Sequence, residues 1–141
     1  MYCVIYDGNC NLCVSLVRLL ESIDRGVQFQ YVPMQDEQTL ARYGITAADC
    51  EAGMLLIDLQ SPHRRWQGSE AAEEIGRLLP LGDPFVQAYR ALPGVKQAGD
   101  QVYGFVRDRR YELFGQRSKR YDSVYPLCRD QNCEPLSESP L

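Results

Sequence analysis

Two cysteines, Cys10 and Cys13, stand where a strand-like run hands over to a helical period, and that junction constrains the chain more than any other feature. Tyr2 to Tyr6 (Tyr-Cys-Val-Ile-Tyr) is β-branched and aromatic, the composition of a short buried strand. Asp7, Gly8 and Asn9 are turn residues that end it. From Cys10 onward apolar residues recur at helical spacing through Leu12, Val14 or Leu16, Leu19, Leu20 and Ile23. Cys10 is therefore expected at or just before a helix N-terminus, where free backbone N–H groups and the positive dipole end stabilise an anion. A thiolate attacks disulfides, so this position lowers the pKa of the thiol and raises its reactivity. Cys13 follows one turn deeper on the same face, from where its sulfur can reach Cys10 and close a small ring. The arrangement suits a two-step exchange. Cys10 attacks a substrate disulfide, then Cys13 attacks Cys10 and releases the product. Zinc sites use the same spacing, and metal is the competing reading.

The remaining chain reads as a small α/β domain. Val27 to Val32 alternates as a strand and Pro33 closes it; Gly26 is the expected stop of the preceding helix. Gln35 to Tyr43 reads as a short helix. Met54 to Ile57 is a continuous apolar run suited to an inner strand, and Arg64 to Gln67 can pair with it as a hairpin. Ser69 to Leu79 is an amphipathic helix with Ala72, Ile75, Leu78 and Leu79 on one side. Asp83-Pro84 starts another helix, broken at Pro93-Gly94, and Val95 to Phe114 is helical for much of its length. Strand, helix and strand at the start imply a right-handed parallel crossover. The order matches a thioredoxin-like core, a small mixed sheet flanked by helices, with a C-terminal helical extension. Residues 1–133 are expected to form this single domain, with the extension from about 83 and a flexible polar tail over 134–141.

Composition narrows the function. The net charge of −4, from 15 basic and 19 acidic residues, argues against nucleic acid as a partner. No run approaches the roughly 18 apolar residues of a membrane span. The N-terminus has neither a basic region nor a leader-length apolar core, which sets the cytoplasm as the expected compartment. Thiols there are mostly reduced, so the six cysteines point to redox chemistry or metal before structural disulfides.

Val4-Ile5-Tyr6-Asp7-Gly8-Asn9-Cys10-Asn11-Leu12-Cys13 resembles the N-terminal signature of the DCC family of thiol-disulfide oxidoreductases, named for its D-x-x-C-x-x-C motif. Phe29 to Asp36, Gly68-Ser69-Glu70-Ala71, and Val102-Tyr103 through Arg110-Tyr111-Glu112-Leu113-Phe114-Gly115 are similar to later segments of the family, so the resemblance covers about residues 2 to 128. It implies a thioredoxin-like fold, dithiol–disulfide activity without a further cofactor, and Asp7, Cys10 and Cys13 as the matching site positions. The implied partner is a thiol- or disulfide-containing protein or small molecule. Asp7 is expected to accept the Cys13 proton or to anchor the site. Its charge also opposes ionisation of Cys10. The chain departs from ordinary thioredoxins, which place a cis-proline before the third strand. Here that stretch is Cys50-Glu51-Ala52-Gly53-Met54. They also carry Trp before the cysteines and Gly-Pro between them, where this chain has Asn9 and Asn11-Leu12.

Cys3 reads as a buried small hydrophobe and Cys50 as a passive thiol. Cys128 and Cys133 read as passive tail thiols or as an incidental disulfide under oxidation. In the alternative of a non-enzymatic zinc-binding or interaction module they would join Cys10 and Cys13. His63 reads as solvated and Trp66 as a packed strand residue. A lone histidine leaves little room for hydrolases that need an imidazole base. The basic and aromatic stretch from Arg107 to Tyr121 reads as a solvated helix face.

Overall fold

The first apolar run forms β1 (Tyr2–Tyr6), an inner strand whose two faces are both covered. Val4 and Tyr6 pack into one apolar cluster, and Cys3 and Ile5 into another on the opposite face. Burial on both sides explains why the run is continuously apolar rather than alternating. The structure is a computed structural model and describes residues 1–61, 63–80 and 82–127.

From β1 the chain crosses through α1 (Asn11–Asp24) to β2 (Phe29–Pro33), which pairs parallel with β1, Tyr2 standing opposite Phe29. α2 (Glu37–Arg42) and a 3-10 turn (Ala48–Cys50) lead to β3 (Leu55–Asp58), antiparallel to β1 on its other side. β4 (Arg65–Gln67) forms a hairpin with β3, and α3 (Ser69–Leu78) follows. The strand order β2-β1-β3-β4 is that of a thioredoxin-like core, as the element order implied. The extension comprises α4 (Gly82–Ala91), α5 (Val95–Asp108) and α6 (Arg110–Phe114). The helical stretch expected over 95–114 is thus divided at Arg109. Among the described residues no helix is long and apolar enough to cross a membrane.

Two elements differ from their sequence pattern for a shared reason, the burial of carboxylates. On α1 the inward residues are Val14, Val17, Leu20, Glu21 and Asp24, while Leu16, Leu19 and Ile23 are exposed. Apolar spacing located the helix but not its inner face. Asp24 faces inward because its carboxylate accepts the backbone N–H groups of Gln28 and Phe29, at 3.0–3.1 Å, where β2 begins. Glu21 accepts the hydroxyls of Tyr121 and Ser123. The helix ends with Arg25 in the left-handed conformation, one residue before the expected stop at Gly26. On α3, buried Glu73 receives Lys96 at 2.9 Å and Arg90 at 3.2 Å, and Glu74 receives Arg77 and Arg90, which ties the extension to the core.

Beyond α6, residues 115–127 run as an irregular strap along the edge of the sheet. The Tyr121 N–H donates to the Gly8 carbonyl at 3.0 Å, Tyr31 N–H to the Tyr125 carbonyl at 3.1 Å, and Leu127 N–H to the Tyr31 carbonyl at 3.2 Å. The strap thereby uses the polar groups of edge strand β2 that would otherwise be open to another chain. Cys128, Cys133 and the expected tail over 134–141 lie outside the described residues. Replacing Tyr121 with Phe removes a donor from the buried Glu21 carboxylate. Urea unfolding of this variant should show a loss of about 1–3 kcal/mol; an unchanged midpoint would mean that Glu21 does not hold the strap.

Candidate active site

Cys10 is the N-cap of α1, in extended conformation, and its Sγ accepts the Cys13 backbone N–H at 3.4 Å. Short turn residues permit this: Gly8 is covered so closely that a Cβ there would lie 2.7 Å from the Arg120 side chain. The two thiols are shifted in opposite directions. Donation from the Cys13 thiol, then from the backbone N–H groups of Cys13 and Leu12, holds Cys10 down to about 6 against its burial and the repulsion of Asp7. The same thiol hydrogen bond, reinforced by burial and by the charge on Cys10, pushes Cys13 far above the ordinary thiol range. The opposite shifts favour the anion on Cys10 and the proton on Cys13.

Asp7 lies beneath this pair, its side chain 3% exposed. Burial works against its ionisation, but four donors outweigh it and keep the carboxyl below the usual range. They are the Tyr111 hydroxyl, the Asn9 N–H at 3.0 Å, Gln35 Nε2 at 2.7 Å and Arg110 Nη2 at 3.3 Å. Gln35, Arg110 and Tyr111 are site residues that the sequence reading missed. The expectation of a solvated face over 107–121 fails for Arg110, whose side chain is only 15% exposed. The only signal was the interleaving of arginine with aromatic residues. Periodicity could not reveal it, because the break at Arg109 is what aims α6 toward Asp7.

The two sulfurs differ in access. Cys10 is fully buried, at 0% exposure, beneath the start of the strap. There Arg117 N–H donates to the Asn9 carbonyl at 2.6 Å, Asn11 N–H donates to the Gly115 carbonyl at 3.3 Å, and Gln116 bridges to Cys10. Cys13 is half-buried and lines a cavity of about 360 Å³ between the core and α5. Cys50 lines the same cavity. Burial pushes its thiol up to about 11, and it donates to the Thr46 carbonyl. Cys3, deep in β1, is pushed by burial up to about 12. Trp66 packs near Tyr2 on β4.

At the position before β3, Gly53 has φ +126°, and a Cβ there would lie 2.8 Å from the Tyr103 hydroxyl and 3.0 Å from Gly68 Cα. The positive φ and the close approach of α5 both require glycine. Among the described residues no group of three or more His, Cys, Asp or Glu side chains is placed to hold a metal ion. Cys128 and Cys133, which the zinc alternative needs, lie outside those residues.

A thioredoxin-like core with a dithiol at the N-terminus of its first helix defines a class of redox proteins. Residues 4–116 match the family model of DCC1-like thiol-disulfide oxidoreductases, and the chain belongs to that family. The matched span runs from β1 to the segment that covers Cys10. No curated protein and no solved structure matches the chain.

The proton distribution has a measurable sign. Thiolate absorbance of the reduced protein should titrate with a midpoint near 6 from Cys10, against an ordinary value of 9.0. A Cys13→Ala variant should move that midpoint upward. Between these values the folded chain has released a proton that the unfolded chain retains, so the reduced protein should gain stability as pH rises from about 6 to 9. Cys13 acts oppositely, and its contribution is lost only as pH rises above 9.0. The disulfide form should lack this dependence. A flat profile for the reduced form would contradict the assigned anion.

Proposed function

We propose that the protein is a thiol-disulfide oxidoreductase in which Cys10 and Cys13 cycle between dithiol and disulfide, exchanging electrons with a thiol- or disulfide-bearing partner. The observation that carries this reading is the Cys10 sulfur at the helix N-cap, accepting the Cys13 backbone N–H at 3.4 Å. A thiol held down in this way attacks as a thiolate at neutral pH and leaves readily when its disulfide is attacked. In the reduced state Cys10 is the nucleophile and Cys13 the resolving thiol. Cys13 holds the proton until Cys10 forms a mixed disulfide; once that anion is gone, the Cys13 thiol ionises more easily and attacks. Because Cys10 is buried, attack on an external disulfide requires the Gly115–Arg117 strap to lift.

Asp7 acts in this scheme as an anchor rather than a proton acceptor, since four donors already occupy its oxygens. Its constant negative charge disfavours the thiolate. No group beyond the dithiol is needed, and the cytoplasm, where dithiols are continually re-reduced, is the setting of this proposal.

A glutathione redox series with mass-spectrometric mapping and metal analysis tests the reading. A reversible Cys10–Cys13 disulfide is expected. Cys10→Ser should reduce exchange to background, and Cys13→Ser should accumulate a mixed disulfide on Cys10. Stoichiometric zinc on Cys10 and Cys13, without a reversible disulfide, would replace exchange with the metal-binding reading.

A further inference from the structure

At the wall beside Cys13 the Ala52 carbonyl and both backbone polar groups of Gly53 and Met54 are already engaged. A peptide docking as an added strand needs unpaired N–H and C=O groups along the edge it joins. Before β3 those groups are occupied from within the chain. The Ala52 carbonyl accepts Arg107 Nη1 at 3.1 Å, and the Gly53 carbonyl accepts Gln67 Nε2 at 3.4 Å. Gly53 N–H donates to the Cys50 carbonyl at 3.2 Å, and the Met54 carbonyl accepts Gly68 N–H at 2.9 Å. Met54 N–H donates to the Tyr103 hydroxyl at 3.4 Å. Side chains of α5 and β4, with neighbouring backbone, thus close the edge beside the dithiol.

Between that closed edge and α1 lies the cavity of about 360 Å³. This is near the small end of ligand pockets, which run about 300–1,000 Å³. Its walls are overwhelmingly apolar, supplied by Ile5, Leu12, Leu16, Met34, Met54 and Val106. Polar and reactive groups interrupt them: the half-buried Cys13, Cys50, the buried Asp7 carboxylate, and the guanidinium groups of Arg107 and Arg110, Arg107 being paired with Asp108 on its outer side. Arg110 gives Nη2 to Asp7, but its Nε–H is buried with no acceptor. A buried donor without a partner is costly, and an acceptor on a bound molecule would satisfy it. The cavity therefore combines a sulfur, an apolar lining, two guanidinium groups against one carboxylate, and an unpaired N–H donor.

We propose that this cavity is the substrate site for a small aliphatic thiol bearing a carboxylate, which reduces the Cys10–Cys13 disulfide by attacking Cys13. The proposal rests on the exchange reading above and names its substrate class. The aliphatic body fills the apolar walls and the carboxylate meets Arg110. In the first step the substrate thiolate bonds to Cys13 Sγ, the Cys10–Cys13 bond breaks, and Cys10 leaves with the electron pair. Cys10 is the better leaving group because backbone N–H groups stabilise its anion, and it can leave without becoming exposed. In the second step another substrate thiolate bonds to the sulfur attached to Cys13. Cys13 is released and takes up a proton. Two substrate thiols become one disulfide, and the protein disulfide becomes a dithiol. The strap need not lift in this direction.

The test reacts the oxidised protein with mercaptopropionate, mercaptohexanoate and mercaptooctanoate, with neutral mercaptooctanol, and with a cysteine peptide. Rates should rise roughly three- to fourfold per added methylene until the cavity is full. Mercaptooctanol should be slower than mercaptooctanoate by at least about tenfold, for loss of the charge-assisted hydrogen bond. The trapped mixed disulfide should map to Cys13, and octanoate, which has no sulfur, should inhibit competitively. In Val106→Trp, which fills the cavity, the dependence on chain length should disappear. The octanoate competition needs no variant and stands if that protein fails to fold. Rates independent of chain length, a mixed disulfide on Cys10, or a cysteine peptide outpacing mercaptooctanoate would each overturn the cavity proposal and leave exchange intact. Failure of dithiothreitol to reduce the protein, or absence of a Cys10–Cys13 disulfide, would overturn both.

Discussion

A single buried carboxylate holds the site to the rest of the molecule. Asp7 ends the inner strand of the sheet, where an isolated anion would be strongly disfavoured. It is tolerated because donors from three regions converge on it: the adjoining turn at Asn9, the segment after β2 at Gln35, and α6 at Arg110 and Tyr111. Tyr111 lies 104 residues along the chain from Asp7. The carboxylate thus makes the helical extension a structural part of the dithiol centre rather than an appendage. It also sets an electrostatic opposition, since the charge that recruits α6 disfavours the thiolate above it. The hydrogen bonds to Cys10 Sγ prevail because they act at contact distance on the reacting atom.

The extension reshapes what a thioredoxin-like core presents to its surroundings. Side chains of α5 engage the backbone edge before β3, and the strap covers Cys10. As a result the two sulfurs are separated in role and in access. The sulfur whose pKa is lowered is the covered one, and the sulfur whose pKa is raised faces the cavity. In a thiol pair exposed on an open surface, charge and access would fall on the same atom. In the exchange we propose, a partner of Cys10 must first displace the strap, whereas one that reaches Cys13 through the cavity need not.

Much of the core was legible from local pattern. The β1 run, the helix that starts at Cys10 and the hairpin appear where composition and periodicity place them, while the second strand, expected over Val27 to Val32, runs Phe29–Pro33 and leaves Val27 exposed. The inner face of α1 was not, because Glu21 and Asp24 interrupt the apolar period. Their burial depends on Tyr121, Ser123 and the start of β2, partners that a local window does not contain. Arg110 and Tyr111 were obscured for the same reason. A charged and aromatic stretch has the same local pattern whether it faces water or a buried carboxylate.

The sequence by itself determined the chemistry. It placed two thiols at helical spacing behind a strand, with Asp7 at the turn, and the peptide geometry of a helix N-terminus then stabilises a thiolate wherever that helix packs. Only the tertiary structure decided how the thiolate is reached and balanced. Burial of Cys10, closure of the β3 edge, the cavity beside Cys13 and the four donors to Asp7 all arise from contacts between residues distant in sequence. Such contacts form only when the sheet brings those segments together, and the spacing of residues along the chain carries no record of them.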